Sequence, residues 1–478
     1  MNFITINFFL FFVAAYLSYW IVGKSNNKYQ NLVLLVSNLV FYNFWSSSFL
    51  LILLSTSLID YFLAIGIKKN ENKNLAKVFL YGSVFVNIGA LIFFKYFNFF
   101  LPEFVSLTNA VGLNLNTQTL GILLPVGISF YTLQKLSYTI DVYKKRIEPA
   151  NNLITYLCFA TFFPTVASGP IERAVNFIPQ INKLRKFDYS MSVDGAKQIL
   201  WGVFKKIVIA DTAALYVNEV YSNINANTGS TLFLAALVFS FQIYCDFSGY
   251  SDISVGISKL LGIRITNNFS YPYFSRSISE FWRRWHISLL NWLRVYVFMP
   301  LGGGFGSKLK VIRNTFIVFV ISGIWHGSEW TFVSWGILNA VYLLPEILRY
   351  NHTRPTKYAA MNKYFPNLNE FVKIVSTFLL VTYGWILFRS ESIHSAFLYT
   401  GKMFSSSLFK APVLPSSLLV LLIVFLAASE WIHRGREHPL QFIKKHSVAF
   451  RYGYYYALII IIYTFMRNVN EQFLYFRF

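Results

Sequence analysis

Acidic side chains are scarce in this 478-residue chain: 20 Asp and Glu stand against 42 Lys and Arg, and charged residues of both signs amount to 13%. With 55% hydrophobic residues beside them, so little charge excludes a soluble globular domain of this size. Cysteine is nearly absent. Cys158 and Cys245 both fall in apolar runs, which argues against a disulfide framework or a cysteine metal site and leaves them as small packing residues. No fixed-period repeat, low-complexity segment or secretory cleavage site after the first apolar run is found, so one integral membrane domain over residues 1–478 is the simplest organisation. A net charge of +22 would point to nucleic acid in a soluble protein. Here the basic residues gather between apolar runs, the pattern of loops facing anionic lipid, and no nucleic-acid partner is expected.

What the chain has in abundance is apolar length. A crossing needs about 20 mostly apolar residues, and runs centred on 6–22, 31–46, 48–66, 78–94, 120–142, 193–211, 230–250, 311–326, 333–348, 371–388, 415–431 and 452–468 approach that length. An all-α polytopic membrane protein with about 11–13 membrane helices is expected. The shorter apolar stretch Tyr156 to Ser168 is interrupted by Pro164 and is expected to be re-entrant or buried in protein. Many of the 50 Phe, 31 Tyr and 11 Trp lie at the ends of these runs, where amphipathic rings favour the headgroup level. Basic loops at Lys24 to Lys28, Lys68 to Lys77, Lys144 to Arg146, Lys183 to Lys186, Lys259 to Arg313, Arg349 to Lys363 and His433 to Arg451 are placed in the cytoplasm. Both termini then lie outside.

Two histidines stand out against this apolar background. His286 lies in the tryptophan- and arginine-rich run Ser279 to Ser288, and His326 ends the apolar run Ile321 to Gly327. An ionisable group at membrane depth is costly and is a functional candidate, and neutral imidazole is a natural general base near pH 7. Packing alone is the other explanation for each. At about 100° per residue, Ile278, Phe281, Trp282, Trp285, Leu289, Trp292, Leu293 and Tyr296 share one helical face, opposite Glu280, Arg283, Asn291 and Arg294. This predicts an amphipathic helix at the cytoplasmic surface with His286 on its shoulder. The cations Arg276, Arg283, Arg284, Arg294, Lys308, Lys310 and Arg313 suit either the phosphates of a nucleotide-bearing donor or lipid headgroups. Asp246 and Asp252, in the run Asp246 to Asp252, could orient a histidine or pair with the arginines of the amphipathic helix. The glycines at 302–306 lack the spacing of a nucleotide-binding loop and read as a turn. His352, His394, His433, His438 and His446 lack metal-ligand spacing, and no metal is expected.

Three of these runs, Asp246 to Asp252, Phe281 to Leu293 and Trp325-His326-Gly327, resemble the core of the membrane-bound O-acyltransferase family, in particular its bacterial cell-envelope branch. The likeness extends through Leu124 to Tyr131 and Ser168 to Arg173, and so over most of the chain, with a core at about 120–350. It implies a ring of helices around a central tunnel that holds His326. It also implies His326 as general base, His286 as its assistant near the donor, and a substrate-binding surface drawing on Arg283, Arg284, Arg294, Trp285, Asp246 and Trp325. The last six residues, Phe473 to Phe478, match an aromatic C-terminal motif of this branch, which makes Tyr475 the acyl carrier or, alternatively, an aromatic anchor.

The activity implied is transfer of acetyl from cytoplasmic acetyl-CoA across the membrane, with no permanently bound cofactor. A secreted, esterase-like transferase with its own Ser-His-Asp site is the implied partner. Where alginate-type relatives carry an acid between Arg294 and Tyr296, this chain has Val295; together with a Lys-, Asn- and Phe-rich composition, this favours peptidoglycan over alginate or another exopolysaccharide as the polymer. A polysaccharide exporter or secondary transporter would require paired, interrupted helices in two related halves, which the sequence does not display. The charge pattern makes a topological prediction: a reporter fused after Phe478 registers outside the cell and one inserted near Lys308 registers inside. A cytoplasmic signal from the C-terminal fusion would reverse the threading.

Overall fold

The computed structural model describes residues 3–112, 123–349, 358–360 and 364–466, and every regular element among them is helical. Tyr475 and its aromatic tail lie outside the described residues, as does His352. In chain order the helices are α1 Ile6–Val22, α2 Asn27–Asn43, α3 Ser47–Lys69, α4 Lys73–Ala110, α5 Ile128–Tyr143, α6 Leu153–Ala160, α7 Phe163–Val166, α8 Ala174–Ile181, α9 Tyr189–Val203 and α10 Asp211–Ser222. Beyond them come α11 Gly229–Leu260, α12 Ile278–Trp282, α13 Ile287–Leu293, α14 Lys308–His326, α15 Trp330–Arg349, α16 Leu368–Arg389, α17 Ile393–Met403, α18 Ser417–Ile432 and α19 Val448–Met466. Local chemistry sets many of the starts. Asn26, Ser307, Asn367 and Ser416 each turn a side-chain oxygen onto an orphan amide of the first turn of α2, α14, α16 and α18, the arrangement that satisfies N–H groups without an intrahelical partner.

Among the described residues, seven helices are long and apolar enough to span a membrane: Ser47–Lys69, Lys73–Leu101, Gly229–Leu260, Lys308–His326, Trp330–Arg349, Leu368–Arg389 and Val448–Met466. The protein is therefore a multi-pass membrane protein. Of the other expected crossings, α1, α2, α5 and α18 have only 16 or 17 residues, and α2 buries Gln30, Asn31 and Asn38; 193–211 lies in one helical run in which a π-helical stretch, Phe204–Ala210, joins α9 to α10. The stretch 156–168 is divided between α6 and α7 and is buried throughout, in agreement with its reading as a segment enclosed by protein.

The chain forms two compact units. The first comprises residues 1–195 and 257–266. Its membrane helices are tied by a buried polar centre, in which Lys135 of α5 lies 3.6 Å from Asp60 of α3 and donates to Thr56 at 2.6 Å. Asp60 also accepts from Ser83 at 2.6 Å and Asn87 at 2.8 Å, both on α4. Removing one partner would strand a charge in an apolar interior, at a cost of about 3–5 kcal/mol. Arg173 of the sequence motif pairs with Asp141 at 3.0 Å, while Glu172 accepts from the backbone amide of Thr266.

The second unit comprises residues 196–256 and 267–478. Here the expected single amphipathic helix over 278–296 is corrected. The chain forms two short helices, α12 and α13, separated at Arg283 to His286, with His286 in the left-handed region at φ 44° and ψ 51°. The predicted apolar face is nevertheless the buried one: Ile278, Phe281, Trp282, Trp285, Leu289, Trp292 and Leu293 are all buried. The predicted polar face is not uniform, because Glu280 is buried while Arg283, Asn291 and Arg294 are exposed. Glu280 is drawn in by two arginines, Arg276 at 3.0 Å and Arg284 at 2.5 Å.

α14 and α15 pack as an antiparallel hairpin at a separation that only glycine permits. A Cβ on Gly323 would run into the backbone carbonyl of Phe332, and one on Gly336 into that of Phe319. Because backbone cannot give way as a flexible side chain does, Gly323→Ala is expected to destabilise the protein by about 1–3 kcal/mol and to push the His326 end of α14 off α15. Gly453→Ala, on α19 with nothing within 4 Å, is the control and should leave the protein unchanged or slightly more stable. Thermal denaturation of the two variants in detergent checks the difference, and equal melting temperatures would contradict it.

Candidate active site

His326 is the last residue of α14, and the helix ends there because Gly327 leaves the helical path. Gly327 takes an extended conformation at φ −160° and ψ 167° and donates its amide to the carbonyl of Gly323. The Phe332 ring lies where any Cβ of residue 327 would be, so close approach requires glycine at this position. The imidazole is thereby delivered into a wall of aromatic rings. Its centroid is 5.0 Å from Trp325, 5.2 Å from Trp335 of α15 and 5.3 Å from Phe388 of α16. The residue is 4% exposed.

His286 reaches the same place from the break between α12 and α13. Its ring centroid lies 6.3 Å from that of His326, 5.7 Å from Trp325 and 4.7 Å from Phe247 of α11. A left-handed conformation costs a non-glycine residue about 1–2 kcal/mol, and the surroundings hold it. The amide of Ile287 donates to the carbonyl of Asn268 at 3.0 Å, and that of Ser288 donates to the Asn268 side-chain oxygen at 3.1 Å. His286 lies between α12 and α13, outside the seven spanning helices. Burial pushes its imidazole down from near 6.5 to about 3, because a charged ring there would lose its hydration. His286 is therefore neutral at physiological pH, able to accept a proton or to donate its single N–H.

Trp385 joins the two halves of the cage, with its ring 4.8 Å from Trp285 and 5.9 Å, nearly parallel, from Trp335. The structure thus brings together His286, His326, Trp285 and Trp325 among the residues singled out from the sequence. It treats the others differently. Asp246 was expected to orient a histidine or to meet the arginines of 276–294; its ion-pair partner is instead Lys206, at 2.7 Å, and Lys206 also pairs with Asp211 at 2.6 Å. It is the next residue, Phe247, that faces His286. Asp252 pairs with Lys205 at 2.7 Å. Arg284 is buried, held by Glu280 and lying 4.3 Å over the Tyr358 ring. Arg283 and Arg294 are exposed, with Arg283 donating to Ser279 at 3.0 Å.

Several residues of the site escaped sequence reasoning. Trp335, Trp385 and Phe388 looked like any apolar residues of a crossing. Lys205 and Lys206 carried a usable signal, two adjacent cations inside an apolar run, which a search for acidic partners elsewhere in the chain would have caught.

Similarity to known proteins agrees with this geometry. The model of the membrane-bound O-acyltransferase family matches residues 148–388, a segment that holds both histidines and the whole aromatic cage. The probable alginate O-acetylase AlgI of Pseudomonas aeruginosa is 36% identical over 402 residues, covering 84% of this chain and 74% of the relative. A peptidoglycan O-acetyltransferase of Helicobacter pylori is 31% identical, covering 81% and 76%. A teichoic acid D-alanyltransferase of Bacillus subtilis is 29% identical, covering 56% and 69%.

The neutral state of His286 links stability to pH. An unfolded histidine takes up its proton near pH 6.5, whereas the buried ring does so only near 3. Between those values the unfolded state binds more protons, so this contribution is fully present above pH 6.5 and is lost as the pH falls, by at most about 1.4 kcal/mol per pH unit. The melting temperature in detergent is expected to fall on acidification below that pH, and His286→Asn to flatten the fall. An unchanged slope in the variant would mean that the ring is already charged in the folded protein.

Proposed function

Because the chain belongs to the membrane-bound O-acyltransferase family and is an acyltransferase, we propose that it takes acetyl from cytoplasmic acetyl-CoA and relays it across the cytoplasmic membrane for O-acetylation of an envelope polysaccharide. The observation that carries this reading is the pair of buried imidazoles, 6.3 Å apart between ring centroids and enclosed by aromatic rings. A hydroxyl is a poor nucleophile near neutral pH and needs a base within hydrogen-bond reach. His326 is that base, and His286, on the opposite side of the gap, holds the thioester end of the donor. Exclusion of water by Trp325, Trp335, Trp385 and Phe388 limits loss of the acyl group to hydrolysis. Arg283 and Arg294, exposed and on the cytoplasmic side by the charge pattern, are available to the donor's phosphates; Arg284, already held by Glu280, shapes the wall. The acceptor is the phenol of Tyr475 in the C-terminal tail, which then passes the acetyl group to a secreted esterase-like transferase outside.

For the polymer, Val295 and the composition favour peptidoglycan. A second reading, an alginate-type exopolysaccharide, is favoured by the greater identity to the alginate O-acetylase, 36% against 31%. Acetyl-ester analysis of isolated sacculi and of secreted polysaccharide from the same cells separates the two. In that assay His326→Ala is expected to abolish acetylation while the protein still inserts and accumulates. Tyr475→Phe, which removes one oxygen and keeps the ring, is expected to be nearly as damaging. Wild-type acetate in the His326→Ala cells would remove the base from the mechanism; wild-type acetate in the Tyr475→Phe cells would leave the tail as an anchor.

A further inference from the structure

Asn268 secures the turn that carries His286. It is 1% exposed, and its two oxygens are both in use. The backbone carbonyl accepts from Ile287 at 3.0 Å and the side-chain oxygen from Ser288 at 3.1 Å, so one residue satisfies the first two amides of α13. His286, in the N-cap position, makes no side-chain cap of its own. The amide of Ser288 can only donate, which fixes the Asn268 side-chain atom facing it as oxygen and leaves the nitrogen turned away. That nitrogen is buried and has no hydrogen-bond partner among the described residues. The neighbouring ring, Phe269, packs 5.0 Å from Phe247, the ring that faces His286, and 5.0 Å from Trp285. Asn268 is therefore packed directly against the turn that carries His286.

A buried NH2 group that makes no hydrogen bond is destabilising, and such a cost is offset where a reacting group supplies the missing acceptor. Acyl transfer creates that acceptor. We propose that Asn268 is a further catalytic residue, whose side-chain N–H donates to the carbonyl oxygen of the acyl group as it becomes an oxyanion. The inference rests on the acetyltransferase reading. In the step, the acceptor oxygen forms a bond to the carbonyl carbon while His326 takes the acceptor's proton, and the C=O electron pair moves onto oxygen, where Asn268 donates to it. The pair then returns, the carbon–sulfur bond breaks, and the thiolate of coenzyme A leaves with the proton that His326 carried. Because the Ser288 amide holds the Asn268 side-chain oxygen and the Ile287 amide holds its backbone carbonyl, its N–H is oriented before the substrate arrives and needs no rearrangement during the reaction.

The test uses the full-length protein in detergent or nanodiscs, with acetyl-CoA as the probe and release of coenzyme A thiol as the readout. Asn268→Asp keeps an oxygen for Ser288 and replaces the donor; it is expected to leave the acetyl-CoA concentration for half-maximal rate within about twofold and to lower the single-turnover rate constant of thiol release by about 100-fold, the effect of losing one oxyanion donor. Asn268→Leu removes the clamp as well and is expected to lower the melting temperature. A wild-type single-turnover rate in Asn268→Asp, with instability confined to Asn268→Leu, would overturn the proposal and leave Asn268 as a clamp alone. A second measurement does not depend on turnover. In His326→Ala, the carbonyl stretch of bound acetyl-CoA labelled with carbon-13 is expected at lower wavenumber than in solution, and Asn268→Ser should return it toward the free value. An unshifted band in the presence of Asn268 overturns the proposal. Wild-type thiol release in His326→Ala would instead defeat the acetyltransferase reading on which it rests.

Discussion

The feature on which the rest of the site depends is the interruption between α12 and α13, where an imidazole is buried without leaving the amides of the break unpaired. Were the segment one continuous helix, as its apolar periodicity permits, the amides at the break would be satisfied within the helix and His286 would stay on its shoulder. Instead the chain takes a left-handed turn at His286, freeing the first amides of α13, and Asn268 accepts two of them. Burial of Trp285 and Phe281, whose rings stack at 5.5 Å, offsets the local strain. The turn sets the imidazole opposite the end of α14.

Around that turn, the ions pair with one another and the histidines are left among rings. The lysines Lys205 and Lys206 take up Asp211, Asp246 and Asp252, and Glu280 takes up Arg276 and Arg284. Each of these buried charges therefore has an opposite charge and hydrogen bonds, the condition under which ions are tolerated at low dielectric. The histidines are lined by rings. A neutral imidazole loses little on entering such surroundings whereas an imidazolium loses much, so burial keeps His286 neutral.

The glycines of the α14–α15 hairpin serve the same end by different means. Gly323 and Gly336 let two backbones approach closely, as small residues do where helices associate in lipid, and Gly327 lets the Phe332 ring occupy the space beyond the helix end. His326 thus sits at the tip of a hairpin that cannot slide. Precision of about half an ångström in a buried side chain depends on supports of this kind.

Much of this was legible in the chain itself. Apolar length and scarce charge determine a multi-pass helical protein, because the bilayer demands internal satisfaction of backbone groups and a minimum crossing length. The period of apolar residues over 278–293 correctly marks the buried face, and His326 is conspicuous as an ionisable group closing an apolar run. Tertiary structure alone decided that this face is carried by two helices rather than one, since a left-handed residue leaves no trace in periodicity and is stabilised here by Asn268, which lies well upstream. It likewise decided that Asp246 belongs to Lys206 and that Trp335, Trp385 and Phe388 surround a histidine. Partner choice between distant residues depends on three-dimensional proximity, which composition and spacing do not encode.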